Sequence, residues 1–153
     1  MSIDLTNVKE ITVKQKPQIN IWNEQTELGI ISGENGSDVD STTRLRNIGY
    51  IPCEANIEYY CYIANSEAMY VRFYNSEMQF IGKNDNAGNT IITTPNECVY
   101  IRFCLAASYG TTYNHDICIN LSNPDINGHY YPYAKGVKRI TEVVSGEIIW
   151  EKS

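Results

Sequence analysis

Two short segments of this 153-residue chain combine arginine and tyrosine at the two-residue spacing of a β-strand. Alternate residues of a strand point to opposite faces, so segments 68–74 and 98–103 each predict one apolar face and one arginine–tyrosine face. The arginine–tyrosine face carries Tyr70, Arg72, Tyr74, Tyr100 and Arg102. If the two strands are neighbours, these side chains form one platform, whose guanidinium groups and rings suit the hydroxyl or carboxylate groups of a glycan. The alternative is a solvated sheet face.

Arg44 and Arg46 form a second candidate pair, because residues two apart in a strand share a face. They offer the same chemistry toward a glycan. The alternative is structural: the two arginines pair with carboxylates of a neighbouring strand or donate to loop carbonyls. Trp22 is a candidate sugar-stacking ring, and its alternative is a lid on the core. Together with the platform, these residues make up the predicted glycan-binding set.

The polar loop 33–41 contains three carboxylates, Glu34, Asp38 and Asp40. Calcium prefers six to eight oxygen ligands, and carboxylates at this spacing suit a structural calcium ion. The loop lacks the order of an EF-hand, and polar turns contain such residues routinely. The alternative is therefore an ordinary turn, and apart from this ion we expect no cofactor.

Catalytic motifs are missing from the sequence. The two histidines, His115 and His129, have no metal-ligand spacing, and no HExxH, GxSxG or glycine-rich phosphate loop occurs. We therefore expect a protein that is not an enzyme. The remaining alternative is a small glycan hydrolase, because a pair of catalytic carboxylates is assembled in space and leaves no local motif.

The elements that must position these residues are almost all β-strands. Short alternating runs rich in Ile, Val, Tyr and Thr recur between Asn, Gly, Pro and Asp, and helical periodicity is almost absent. The predicted strands are 8–13, 19–22, 42–50, 57–63, 68–74, 79–82, 90–93, 98–105, 116–121, 137–143 and 147–150. So many short strands predict an all-β fold of two packed antiparallel sheets, a sandwich or jelly roll.

The two ends of the chain resemble each other. Each contains a β-segment followed, after a turn, by a second one that ends in tryptophan, at Trp22 and Trp150. We predict a N-terminal β-segment over 1–20, a sandwich over 21–133 and a C-terminal β-hairpin over 134–153. The terminal segments are either edge strands of one sheet or an attachment hairpin that pairs with another chain.

Composition narrows the class of partner. The chain has 12 basic and 18 acidic residues, a net charge of −6, and its basic residues are scattered, which argues against nucleic-acid binding. No apolar run approaches the roughly 20 residues that span a bilayer, so we expect no membrane insertion. The N-terminus lacks the features of a signal peptide, so we expect synthesis in a cytoplasm. The five cysteines include no CxxC pair, so we expect buried free thiols rather than zinc ligands.

An ordered series of short motifs covers about 21–133 and consists of Ile21-Trp22, Gly29-Ile30-Ile31-Ser32, Gly36, Ser41-Thr42-Thr43-Arg44-Leu45-Arg46, Tyr50-Ile51-Pro52, Tyr70-Val71-Arg72-Phe73-Tyr74, Phe80-Ile81, Thr93-Thr94-Pro95, Tyr100-Ile101-Arg102-Phe103 and Tyr131-Pro132-Tyr133. This series resembles the carbohydrate-binding-like modules of phage tail, baseplate, fibre and other virion surface proteins of Gram-positive hosts.

This resemblance implies a galactose-binding-like jelly roll without catalysis, displayed on the tail or capsid of a virion made in a bacterial cytoplasm. It implies contacts with other virion proteins, a homo-oligomer, and a role as a virion structural or accessory protein. A glycan-binding module that attaches the particle to a host or mucosal surface is the alternative, and the two roles are compatible.

Overall fold

The computed structural model describes residues 11–15, 19–134 and 138–143. It is nearly all β, as predicted. The strands are β1 (Ile11–Gln15), β2 (Thr26–Leu28), β3 (Ile30–Ile31), β4 (Asp38–Val39), β5 (Leu45–Asn47), β6 (Ile51–Pro52), β7 (Glu58–Ile63), β8 (Met69–Tyr74), β9 (Phe80–Asn84), β10 (Thr90–Thr93), β11 (Tyr100–Leu105), β12 (Ile117–Leu121) and β13 (Lys138–Val143). Two single-turn 3-10 helices lie at Ala64–Ser66 and Ala107–Tyr109, and no helix of the described residues is long and apolar enough to cross a bilayer.

Residues 19–133 form one compact unit built on two antiparallel sheets. The larger sheet has the order β2-β5-β11-β8-β9, and β6 also pairs with β11; the smaller sheet has the order β10-β7-β12. Alternation gives each sheet one apolar face, and these faces pack together. The buried core includes Val71 and Phe103 from the larger sheet and Ile63 and Ile119 from the smaller one. The all-β sandwich is confirmed, whereas the jelly-roll connectivity stays a prediction.

The two arginine–tyrosine strands are neighbours. β8 and β11 pair antiparallel, with Tyr74 opposite Tyr100 and Arg72 opposite Arg102. The next strand, β9, places Lys83 opposite Arg72. Three cationic residues therefore stand in one row across three strands, an arrangement that is destabilising unless carboxylates compensate for it.

The predicted strand over 42–50 is wrong in its extent. Only Leu45–Asn47 of it is a strand, β5, while β6 begins just beyond it; both strands pair with β11. Gly49 between them has φ of +76°, a left-handed conformation that interrupts the extended chain. The Asn47 side chain holds this turn by donating to the Gly49 carbonyl at 3.0 Å.

The predicted strand over 19–22 is also wrong. The Asn20 side-chain oxygen accepts from the backbone N–H groups of Trp22 and Ile119, both at 3.1 Å. An asparagine that bonds its own backbone two residues on forms a turn that competes with a strand. The prediction also missed four short strands: β2, which begins four residues after Trp22, the hairpin strands β3 and β4, and β6.

The chain ends form the second unit, residues 1–18 and 134–153. Within it β1 pairs antiparallel with β13, from Ile11 opposite Val143 to Gln15 opposite Lys138, with a bulge after Thr12. The described parts of the terminal segments thus pair with each other in a two-stranded sheet, and the edge-strand and attachment interpretations both stay predictions. The other strand of the predicted C-terminal hairpin, 147–150, lies outside the described residues.

Candidate functional site

The arginine–tyrosine face of the larger sheet is covered by the two-stranded hairpin of β3 and β4. The Tyr74 hydroxyl donates to the Gly36 carbonyl in the hairpin turn at 2.7 Å. Arg72 Nε donates to the Ile31 carbonyl at 3.2 Å. Arg72 and Arg102 are each only 5% exposed. The expectation of a solvated face is therefore wrong at these positions, because a segment far away in the sequence folds over it.

Carboxylates compensate for the row of cations. Arg102 Nη1 lies 2.6 Å from Asp38 Oδ1, and Arg72 Nη1 lies 2.6 Å from Asp85 Oδ1. Lys83 Nζ contacts the other oxygen of Asp85 at 2.9 Å. The hydrogen bond from Lys83, together with that from Arg72, lowers the pKa of Asp85 below its usual value. Asp38 belongs to the hairpin, so its ion pair also fastens the hairpin to the sheet.

Arg46 has a structural role. Its Nε lies 2.7 Å from Glu27 Oε2, and its Nη1 donates to the carbonyls of Ile30 at 3.2 Å and Val39 at 3.3 Å. A Cβ on Gly29 would lie 2.4 Å from Arg46 Nη1, so the guanidinium rests directly on glycine backbone. Arg46 therefore joins β2 to both strands of the hairpin, and the structural alternative is confirmed for this residue.

The loop 33–41 is organised by its own polar side chains. Ser32 Oγ accepts from the Glu34 N–H at 3.1 Å, and Asn35 Oδ1 accepts from the Ser37 N–H at 3.0 Å. Asp38 binds Arg102 and lies 3.7 Å from Arg46, while Glu34 and Asp40 are exposed. Within the described part of the chain, no three carboxylate, histidine or cysteine side chains converge as a metal site would require. Glu34, Asp38 and Asp40 therefore form no such cluster, and the structural calcium ion stays a prediction that the geometry does not support.

Trp22 lies in the core rather than on the surface. It is 1% exposed, and its ring packs edge-on against Phe103 at a centroid distance of 4.7 Å. Tyr113 lies against it at 5.2 Å. A sugar cannot stack on a ring in this position, so the core-lid alternative holds. Tyr74 is likewise buried, at 2% exposure, and Tyr100 packs against Tyr50 at 5.6 Å.

A cleft of about 300 Å³ opens where the hairpin leaves the sheet uncovered. Its volume is at the lower end of the range for small-molecule sites. Its lining consists of Ile30, Ile31, Ser32, Gly33, Arg44, Tyr70, Arg72, Lys83, Asp85 and Cys104. Three members of the predicted glycan-binding set, Arg44, Tyr70 and Arg72, meet here. Arg46, Tyr74, Tyr100, Arg102 and Trp22 do not line it.

Arg44 is held in the cleft by two contacts. Its Nε donates to the Leu105 carbonyl at 2.6 Å, and its guanidinium carbon lies 5.1 Å from the centroid of the Tyr70 ring. That distance is within cation–π range. Among residues 19–134, Arg46, Arg72 and Arg102 form ion pairs with carboxylates, whereas Arg44 forms none. The guanidinium is thus oriented but keeps unused donors.

The prediction missed Lys83, Asp85 and Gly33. Lys83 falls just beyond the predicted strand 79–82, and β9 extends to Asn84. Ile81 packs against the core, so simple alternation would have placed Lys83 on the core face as well; a register shift opposite Phe73 and Tyr74 turns Lys83 to the arginine–tyrosine face instead. Nothing local marks Gly33 or Asp85, because both come to the cleft from turns.

A smaller cleft, of about 160 Å³, lies between Trp22 and Tyr133. Beside it, Glu24 accepts hydrogen bonds from the hydroxyls of Tyr113 and Tyr130. Burial and these bonds to a carboxylate raise the pKa of both tyrosines. Because Glu24 also accepts from the Tyr133 N–H at 2.8 Å, it fastens the closing segment of the sandwich.

No protein-family model matches the sequence, and comparisons with curated proteins and with solved structures gave no significant match.

Proposed function

We propose that this chain is a non-enzymatic phage virion protein that displays a carbohydrate-binding-like β-sandwich of galactose-binding-like jelly-roll type. The observation that carries the proposal is the division of the chain. The sandwich over 19–133 is a compact unit, and both chain ends belong to a second unit in which they pair with each other. The motif series described above supports the virion setting and a place on the virion surface.

The terminal unit supports assembly with other chains. Its described part is a two-stranded sheet, β1 with β13, and such a sheet is at best marginally stable alone in water. Among the residues that the structure describes, each strand has one edge outside the ladder, and an open edge is a template for pairing with another chain. Other virion proteins or further copies of this chain are the partners that we propose.

Mass spectrometry of purified particles of the phage that encodes this chain tests the proposal, and we expect the protein in them. Ile140→Pro removes a backbone N–H donor from β13 and should abolish incorporation, because proline disrupts strand pairing. Ile140→Val keeps the N–H and serves as the matched control. Absence of the wild-type protein from particles, or full incorporation of the proline variant, would contradict the proposal.

Glycan binding is a second function that the cleft favours. A half-buried tyrosine beside an arginine with unused donors is the arrangement expected of a saccharide subsite, and Tyr70 with Arg44 provides it. A hydrolase gains no support here, because Asp85 is the one carboxylate in the lining and glycoside cleavage uses two.

A glycan array with the full chain, clustered to raise its avidity, tests this second function. We expect binding that Tyr70→Ala weakens, with Tyr60→Ala, a tyrosine of the smaller sheet, as the control. A folded chain that binds no array member would contradict glycan binding.

A further inference from the structure

We propose that the cleft selects acidic saccharides, whose carboxylate binds to the unused edge of the Arg44 guanidinium. This inference rests on the proposed glycan binding and assigns its ligand class. The cleft is lined by three cationic side chains, Arg44, Arg72 and Lys83, and one carboxylate, Asp85, which leaves a formal charge of +2. The whole chain has a charge of −6. The cleft is therefore a cationic site on an acidic protein, which favours an anionic ligand.

The free donors of Arg44 suit a carboxylate ligand. Nε is used by the Leu105 carbonyl, and Nη2 has only the Cys104 sulfur at 3.9 Å, a weak acceptor. The Nη1–Nη2 edge of the guanidinium is the fork that binds a carboxylate through two parallel hydrogen bonds. Arg46, Arg72 and Arg102, by contrast, each have a carboxylate of this chain within 3.0 Å.

Tyr70 supports the same ligand in two ways. The Arg44 guanidinium carbon lies 5.1 Å from its ring centroid, and this contact restricts the arginine side chain before a ligand binds, which lowers the entropy lost on binding. Tyr70 also lines the cleft and supplies apolar surface for a sugar ring. A saccharide with a carboxylate satisfies both groups, whereas a bare inorganic anion would satisfy the guanidinium alone.

Gly33 sets the width of the cleft on the hairpin side. A Cβ at this position would lie 3.1 Å from Arg72 Nη2 and 3.3 Å from Lys83 Nζ. A larger side chain at Gly33 would therefore project among the cations and fill space that a ligand needs. Gly33→Val thus blocks the cleft without changing its charge or touching Arg44.

Isothermal titration of the full chain with tetragalacturonate, its methyl ester and a neutral tetrasaccharide tests the inference. The ester keeps the sugar but loses the charge. We expect the acid to bind at least about 10-fold more tightly than the ester, because hydrogen bonds between charged groups are the strong ones. The difference should shrink as salt is raised. Inorganic phosphate at equal concentration should compete weakly.

Two variants locate the binding. Arg44→Gln should abolish the preference for the acid. Gly33→Val should weaken the binding of the acid and the binding of the ester alike. Lys14→Gln, in the terminal unit, makes the same charge change and should bind as the wild type does. Melting curves of each variant check that the sandwich is folded.

The outcomes separate the inference from the proposed function. Equal binding of acid and ester would overturn the acidic specificity and leave glycan binding standing. Binding of the acid that Arg44→Gln does not reduce would overturn the assignment to this cleft. Competition by phosphate as strong as that by the acid would show an anion site without saccharide recognition. No binding of any of the three sugars would count against both proposals.

Discussion

Asp38→Ala should be among the most damaging single substitutions of a partly exposed residue in the sandwich. The Asp38 side chain is 51% exposed, but its partner Arg102 is only 6% exposed and 2.6 Å away. Arg102 stands opposite Arg72, which stands opposite Lys83, so the substitution removes a compensating charge from a row of three cations. Besides this ion pair, the Arg102 guanidinium donates a hydrogen bond to the Asn47 carbonyl at 3.4 Å.

The magnitude follows from this geometry. Two unit charges with centres about 4 Å apart interact by about 4 kcal/mol at the effective dielectric constant of a protein surface. Removing one partner of a buried ion pair costs about 3–5 kcal/mol, and the exposure of Asp38 places this pair at the lower limit. We therefore expect Asp38→Ala to lower the free energy of unfolding by about 3 kcal/mol and Tm by roughly 10 °C.

Urea denaturation followed by circular dichroism measures the change. Asp40→Ala is the matched control, because Asp40 lies two residues away, is exposed and forms no ion pair among residues 19–134. It should change stability by less than about 0.5 kcal/mol.

The same substitution in an Arg102→Met background tests whether the loss of stability comes from the unpaired Arg102 charge. Arg102→Met removes the buried cation and its repulsion from Arg72, so it should cost less than Asp38→Ala. Asp38→Ala should then cost under about 1 kcal/mol in the Arg102→Met background. Equal cost in both backgrounds, or Asp38→Ala no worse than Asp40→Ala, would refute the reasoning.

Three further substitutions or treatments test other contacts. Tyr74→Phe should lose about 1 kcal/mol at neutral pH with its hydrogen bond to Gly36. Burial raises the pKa of Tyr74 to about 12, so wild type should lose more stability than Tyr74→Phe as pH rises from about 10 to 12, measured by urea midpoints. Gly36→Ala should cost about 2 kcal/mol in the same assay, because φ is +69° and the new Cβ would lie 2.6 Å from the Phe80 ring. The Cys53 and Cys98 sulfurs are 3.6 Å apart, so oxidised glutathione should convert this pair to a disulfide, with two glutathione thiols released and three protein thiols left by thiol assay. A stable glutathione adduct in the mass spectrum would contradict that pairing.

Alternation alone predicted which residues of β8 and β11 share a face, because side-chain direction in a strand is a local property of the backbone. The sequence left open whether those strands are neighbours; the structure pairs them, with Arg72 opposite Arg102. Strand 90–93 was predicted with its observed bounds. The irregular parts were predicted worst, because the Asn20 turn and the Gly49 kink depend on side-chain hydrogen bonds that periodicity does not register.

Which faces are covered was decided only by the tertiary structure. Arg44 and Arg46 have the same spacing and chemistry in the sequence, yet Arg46 has the Glu27 carboxylate and two hairpin carbonyls while Arg44 faces the cleft. The contacts that bury Arg72 and Arg102 come from residues 41 and 64 positions away in the chain. Such long-range contacts have no local signal. The residues thus specified the strands and the chemistry of each face, and the position of the β3–β4 hairpin specified which of those side chains a ligand can reach.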